Sequence, residues 1–342
     1  MHPQYAARLA THQAVSTRLS TLSDRRIADL VATAPAHGSG IGGRSAELDI
    51  GGRQVFVKRV PLTDLETEHP RSTANLFDLP TYYQYGLGSA GFGAWRELAT
   101  HTMTTAWVLG NTFQSFPLMY HWRVIPDSPP AGFADEFGGI DGAVKHWEGS
   151  KAVRERLEAV GRSTLSLVLF LEHIPHRLSA WLADGQDIAR HAWAEQQLAQ
   201  GAAFMSAQGL VHFDAHFHNV LTDGRLLYFA DFGLALSSRF DLSPAEAAFL
   251  TDHLTYDRHY MATHLLRHHL PGLRHDDAQH ESFLRNRLAR APQPFPPTLA
   301  TIIDRHAAAA LILHDFHRRL TTETKRTPYP VEELRRASAA SP

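Results

Sequence analysis

Residues 210 to 233 read LVHFDAHFHNVLTDGRLLYFADFG, and no other stretch limits so tightly what this chain can fold into. Asp214 is followed five residues later by Asn219, and twelve residues after that by Asp231 in the tripeptide Asp231-Phe232-Gly233. Asp223-Gly224 lies between apolar runs, the signature of a tight hairpin turn. His212, Asp214, His216 and His218 also fall within seven residues. The segment therefore reads in two ways: a histidine-rich metal site, or a loop presenting an aspartate to a substrate hydroxyl.

Bulk composition narrows the classes. At 342 residues the chain can form two modest domains, or one catalytic unit with two lobes. A formal net charge of -2 gives no electrostatic footprint for nucleic acid, so no nucleic-acid partner is expected. The absence of cysteine excludes disulfides, thiolate zinc sites and a cysteine nucleophile. The N-terminal MHPQYAARLATHQAVSTRL lacks the apolar core of a signal peptide, and no run of about 18 apolar residues appears. A bacterial, cytoplasmic protein with no membrane partner is the expectation. Only four lysines occur (Lys58, Lys145, Lys151 and Lys325), as in an arginine-rich chain from a GC-rich genome, so a lysine inside a strand pattern is informative.

The order of elements suggests a β-rich lobe followed by an α-rich one. Ser23 or Asp24 caps a short helix over 23–33, with Ile27, Leu30 and Val31 at helical spacing. The glycine-dense PAHGSGIGGRS cannot be a regular helix. SAELDIGGRQVFVKRV reads as strand, Gly51-Gly52 turn, strand. Residues 63–93 read as loop, AWRELATHTMTTAWVL as a buried helix, and 126–150 as an irregular insertion. TLSLVLFLEH is a central strand; RLSAWLADG and 187–209 are helices, the second stopping at Gly209. From Ser243-Pro244 onward the pattern is mostly helical, and PYPVEELRRASAASP reads as a frayed tail.

The D-x4-N spacing followed by D-F-G resembles the catalytic loop and metal-binding motif of the protein-kinase-like superfamily. The resemblance extends backward in order, over most of residues 35 to 236. GSGIGG fits G-x-G-x-x-G at Gly38, Gly40 and Gly43, VFVK ends at Lys58, and LFLEHI is hinge-like. It implies an α+β, two-lobed fold, with an N-lobe over 1–172 and a helical C-lobe over 173–342. It implies ATP and Mg2+ as cofactors, with Asp214 orienting the acceptor hydroxyl and Asn219 and Asp231 as metal ligands. Lys58 would meet the α- and β-phosphates, Glu97 would pair with Lys58, and backbone at Glu172 and Ile174 would read the adenine edge. Those roles suit phosphoryl transfer, which needs charge neutralisation and in-line positioning more than covalent chemistry. Glu66 and Glu68 are the competing partners of Lys58, nearer in sequence but in a loop-like stretch.

Within that superfamily DAHFHN spells the D-x-H-x-x-N of aminoglycoside and choline kinases. Phe213 stands where regulated protein kinases carry arginine, and no A-P-E sequence follows Gly233 in the expected place. Both features favour a small-molecule hydroxyl acceptor of antibiotic, sugar or amino-alcohol type, whereas D-F-G favours the alternative, a serine/threonine protein kinase. An inactive nucleotide-binding scaffold is the third reading, disfavoured because Lys58, Asp214, Asn219 and Asp231 are all present. Tyr82, Tyr83 and Tyr85 read as lobe packing or as a substrate lid. His218 reads as a solvent-facing loop residue; the pairs His264/His268 and His314/His317 fall at a helical spacing that could ligate zinc, but with no nearby carboxylate set they read as solvated helix faces.

Overall fold

A computed structural model describes residues 3–40, 43–183, 187–270, 276–289 and 295–340. The chain gathers into two compact units. The first comprises Met1–Ile174 with Asp231–Ala235 and Phe240–Ser243; the second comprises Pro175–Ala230, Leu236–Arg239 and Pro244–Pro342. The architecture is α+β, and every strand pair among the described residues is antiparallel.

The first unit runs α1 (Pro3–Ser20), α2 (Asp24–Ala32), β1 (Ala36–Gly40), β2 (Gly43–Asp49), β3 (Gln54–Leu62), α3 (Asp64–Glu68), α4 (Ala94–Leu109), β4 (Met119–Pro126), α5 (Ile140–His146), α6 (Lys151–Arg162) and β5 (Leu165–Glu172). Its sheet has the order β1-β2-β3-β5-β4, so β3 and β5 are both interior. That position explains their composition: an interior strand covered on both faces needs continuous apolar sequence, and Leu167 to Leu171 are all buried. Gly51 and Gly52 turn β2 into β3 with φ of 63° and 79°, a left-handed pair that L side chains resist. Val60, Leu62, Trp95, Leu98, Leu167, Leu169 and Leu171 form a core under α4, each such side chain contributing about 1.5–3 kcal/mol on burial.

Two expectations for this half are corrected. Residues 126–150 are not irregular throughout, because α5 buries Ala143 and Val144. Residues 63–93 contain α3, closed by a Thr63–Glu66 capping box. Of the two readings of the tyrosines, lobe packing holds: Tyr83 and Tyr85 are buried, and Tyr82 and Tyr83 pack on Trp147 in a second core.

The second unit runs β6 (His176–Arg177), α7 (Leu178–Ala183), α8 (Ile188–Ala207), β7 (Leu210–Val211), β8 (Val220–Thr222), β9 (Leu227–Phe229), β10 (Leu236–Ser237), α9 (Pro244–His253), α10 (Tyr256–His268), α11 (Asp277–Leu288), α12 (Pro297–Thr322) and α13 (Val331–Ala340). Gly209 adopts φ 66° just past α8, the left-handed stop that glycine allows. Helix α10 packs against α8 and α12. The tail is not frayed: α13 opens with Glu332 and Glu333, which suit a helix N-terminus, and buries Leu334. No described helix is long and apolar enough to cross a membrane.

Candidate functional site

Lys58 lies mid-strand on β3, in register with Ser45 of β2 and Leu169 of β5. A buried ammonium needs partners, and it has two: Glu97 Oε1 at 2.6 Å and Asp231 Oδ1 at 2.7 Å. Glu97 is presented from the first turn of α4 and is itself buried. Burial alone would lower the Lys58 pKa, but the Asp231 and Glu97 charges outweigh it and hold it above the ordinary lysine value. Burial pushes Glu97 up to about 7, with the Asp231 charge adding to it and Lys58 pulling back. Asp231 keeps 43% of its side chain exposed and adopts φ 65°, a left-handed conformation costly for aspartate. The next residue anchors it: Phe232 is fully buried between His101 and Phe116, with ring centroids at 5.0 and 6.1 Å.

Glu66, the competing partner, is engaged elsewhere. It accepts from the Ala94 amide at 2.7 Å and from Arg156 at 2.8 Å, which fixes the start of α4. Gly38 and Gly40 lie in β1, and Gly43 opens β2 opposite Gly40; Ile41 and Gly42 of the same motif lie outside the described residues. Gly43 has φ 123°, and a Cβ there would sit 2.3 Å from the Arg59 carbonyl oxygen, so close approach of β3 demands glycine. Glu172 ends β5, and its amide donates to Leu118 O at 2.8 Å. Its carboxylate takes Arg8 Nε at 2.9 Å and Nη2 at 2.7 Å, and the Leu118 amide at 3.0 Å. Ile174, half-buried, follows two residues on.

The second unit holds the Asp214 loop. Asp257 of α10 accepts the amides of His212 and Phe213 at 2.7 and 3.0 Å. Phe213 adopts φ 63°, with its ring buried against Phe249, His253 and Tyr256. The residue before Asp214 is thus a hydrophobic anchor. His212 donates from Nε2 to Ala230 O at 2.9 Å, where the carbonyl fixes its tautomer. Asp214 follows, and Asn219 Nδ2 donates to both its Oδ2 and its carbonyl oxygen at 3.0 Å. Asn219 O in turn accepts the Ala230 amide at 3.0 Å, across the β8–β9 hairpin. That single bond fixes Asn219 beside the residue that precedes Asp231 in the chain.

His216 lies 3.7 Å from Asp214 Oδ1, and His218 is exposed beside Ser179. Of the two helix pairs, His268 is exposed as expected, whereas His264 and His317 are half-buried and His314 is buried. His264 packs on Phe217 at 4.7 Å, and burial pushes its pKa down to about 2. His314 is buried beside His280. Among the described residues, no group of three or more histidines, aspartates or glutamates is placed to hold a metal ion. Two working residues escape sequence reading. Asp257 carries one faint signal, an acid on a helix face otherwise lined by Tyr256, Met261 and Leu265. Arg8, 164 positions from its partner Glu172, carries none.

No protein-family model matches the chain, and no curated protein matches it.

Proposed function

We propose that the protein is a two-lobed, protein-kinase-like phosphotransferase that moves the γ-phosphoryl group of Mg·ATP to a hydroxyl of a small molecule. The observation that carries this reading is the Lys58–Glu97 ion pair with Asp231 on the same ammonium. Such a pair leaves a cation fixed in place to meet phosphate oxygens. Asp231 and Asn219 would each supply a hard oxygen donor, and Asp231 keeps 43% of its side chain exposed. That suits magnesium, which keeps waters and phosphate oxygens in its shell. Bound magnesium would neutralise charge on the transferring group. Asp214, held by Asn219, would accept the acceptor hydroxyl's hydrogen bond, orient it and take its proton late. A small acceptor is supported by the D-x-H-x-x-N spacing, by the buried Phe213 and by the missing A-P-E sequence. D-F-G supports the protein-kinase alternative.

The test is γ-labelled Mg·ATP with the purified protein and a host lysate, separated by size. Label in a new low-molecular-weight phosphoester, lost with Asp214→Asn, is expected; label in protein bands would establish the alternative. Asp214→Asn should cut transfer about 100-fold or more and leave ATP affinity intact. Asp231→Ala should abolish magnesium-dependent turnover. No nucleotide binding to the wild-type protein would overturn the whole reading.

A further inference from the structure

The second unit has an open cavity, a surface cleft of about 410 Å3 among α8, α10 and α12, within the range of about 300–1,000 Å3 that small-molecule clefts occupy. Its origin lies in the sequence. Ala199 and Ala203, one turn apart on α8, line it together with Ala262 of α10, and three methyl groups leave space that larger side chains would fill. Leu198 and Leu265 complete an apolar floor. The rim is polar, with Glu195, Arg258, Arg305 and His306 on it.

The rim charges do not cancel. Glu195 takes Arg305 Nη1 at 2.9 Å and His306 Nε2 at 2.8 Å. Burial would raise its pKa, yet those two hydrogen bonds outweigh burial and keep it below the usual carboxylate range. One acid is therefore already served by two partners from α12. Arg258 is exposed, and among the described residues no carboxylate pairs with it. The cavity thus combines one uncompensated guanidinium with an apolar floor.

We propose that this cavity binds a small amphipathic monoanion, a carboxylate on a short hydrocarbon body. The carboxylate lies on the planar fork of Arg258, a geometry that guanidinium matches with two parallel hydrogen bonds. The hydrocarbon covers Ala199, Ala203, Ala262, Leu198 and Leu265. A cation would face Arg258 unfavourably, and a dianion would find only one guanidinium not already shared with Glu195. Arg258 directly follows Asp257, whose carboxylate holds the His212 and Phe213 amides. An occupant of the cavity therefore loads the helix that fixes the Asp214 loop. The binding itself is independent of the phosphotransferase reading.

Titration calorimetry and thermal unfolding of the full-length protein with octanoate, octanol and octylamine test this. Octanoate should bind saturably and raise the melting temperature, while octanol and octylamine bind at least ~10-fold more weakly. Arg258→Ala, at an exposed position, should weaken octanoate by ~10-fold or more without changing the ligand-free melting temperature. Ala203→Leu should fill the cavity and remove the response with Arg258 still present. The proposal is overturned if octanoate does not bind, if octanol binds as well, or if Arg258→Ala leaves octanoate affinity unchanged.

Discussion

Two residues outside glycine carry positive φ at the candidate site, Phe213 at 63° and Asp231 at 65°. Such backbone costs about 1–3 kcal/mol per residue and persists only where surrounding contacts over-determine it. For Asp231 the contacts are the Lys58 ammonium and the buried ring of Phe232. For Phe213 they are its own buried ring and Asp257, which accepts two consecutive amides. Burial pushes Asp257 up to about 7, and those two amide donors pull the other way. Replacing Asp257 with alanine leaves two buried amides without an acceptor, at about 1–3 kcal/mol each. Asp257→Ala should therefore destabilise the second unit by about 2–6 kcal/mol in urea unfolding, read from the fluorescence of Trp181 and Trp193. Asp257→Asn keeps one acceptor oxygen and should lose about half as much. An alanine variant as stable as the wild type would remove Asp257 from this role.

Among the elements, α4 shows how a long-range contact sets a residue of the candidate site. Its first turn presents Glu97, and its start is pinned by Glu66, which takes the Ala94 amide while Trp95 Nε1 donates to Glu66 O at 2.7 Å. Glu66 and Arg156 form a fully buried pair, 1% and 3% exposed. Removing one partner of such a pair costs about 3–5 kcal/mol, because the other charge is left uncompensated. Glu66→Gln should cost that much in the first unit, and adding Arg156→Met should recover part of it in a double-mutant cycle. Additive losses would show that the two residues are not coupled. Much of the element order was legible: the Gly51-Gly52 and Asp223-Gly224 turns, the apolar β5, the α8 stop at Gly209 and the Pro244 start of α9. Each rests on a local rule of turn chemistry or periodicity. Helix α6 carried a readable signal in Ser150, Val153, Leu157 and Val160, obscured by the Gly- and acid-rich run before it. Glu66 with Arg156, Glu172 with Arg8, and Asp257 with the Asp214 loop could not be read. Their partners lie 90, 164 and 44 or 45 positions away, and only tertiary packing selects them.

At the scale of the whole molecule, the 23 histidines matter for stability as much as for chemistry. Four of them in the second unit are held uncharged by burial: His253, His259 and His317 are pushed down to about 4, and His264 to about 2. An unfolded histidine titrates near 6.5, so below that pH the unfolded chain takes up protons that the fold refuses. Each such group removes up to about 1.4 kcal/mol per pH unit as the pH falls from 6.5 towards 4. Asp257 works in the opposite sense. With its folded pKa raised to about 7, it stabilises the fold on acidification through the same window. Four groups against one leave a net loss in the second unit of about 3–4 kcal/mol per pH unit between 6 and 5 as a ceiling. A typical domain has only about 5–15 kcal/mol in total. The first unit is balanced differently. Glu97, raised to about 7, gains over that window, and the half-buried His12 and His121, both lowered, oppose it. Asp127 and Glu66, both held low, lose their contribution only below their unfolded values near 4. Acid titration should therefore split unfolding into two transitions, the second unit melting first at a pH between about 6 and 4. Trp181 and Trp193 report that unit, and a variant with both replaced by phenylalanine leaves Trp95, Trp107, Trp122 and Trp147 to report the first. A single coincident transition, or the first unit melting first, would show that these histidines are not held neutral by the fold.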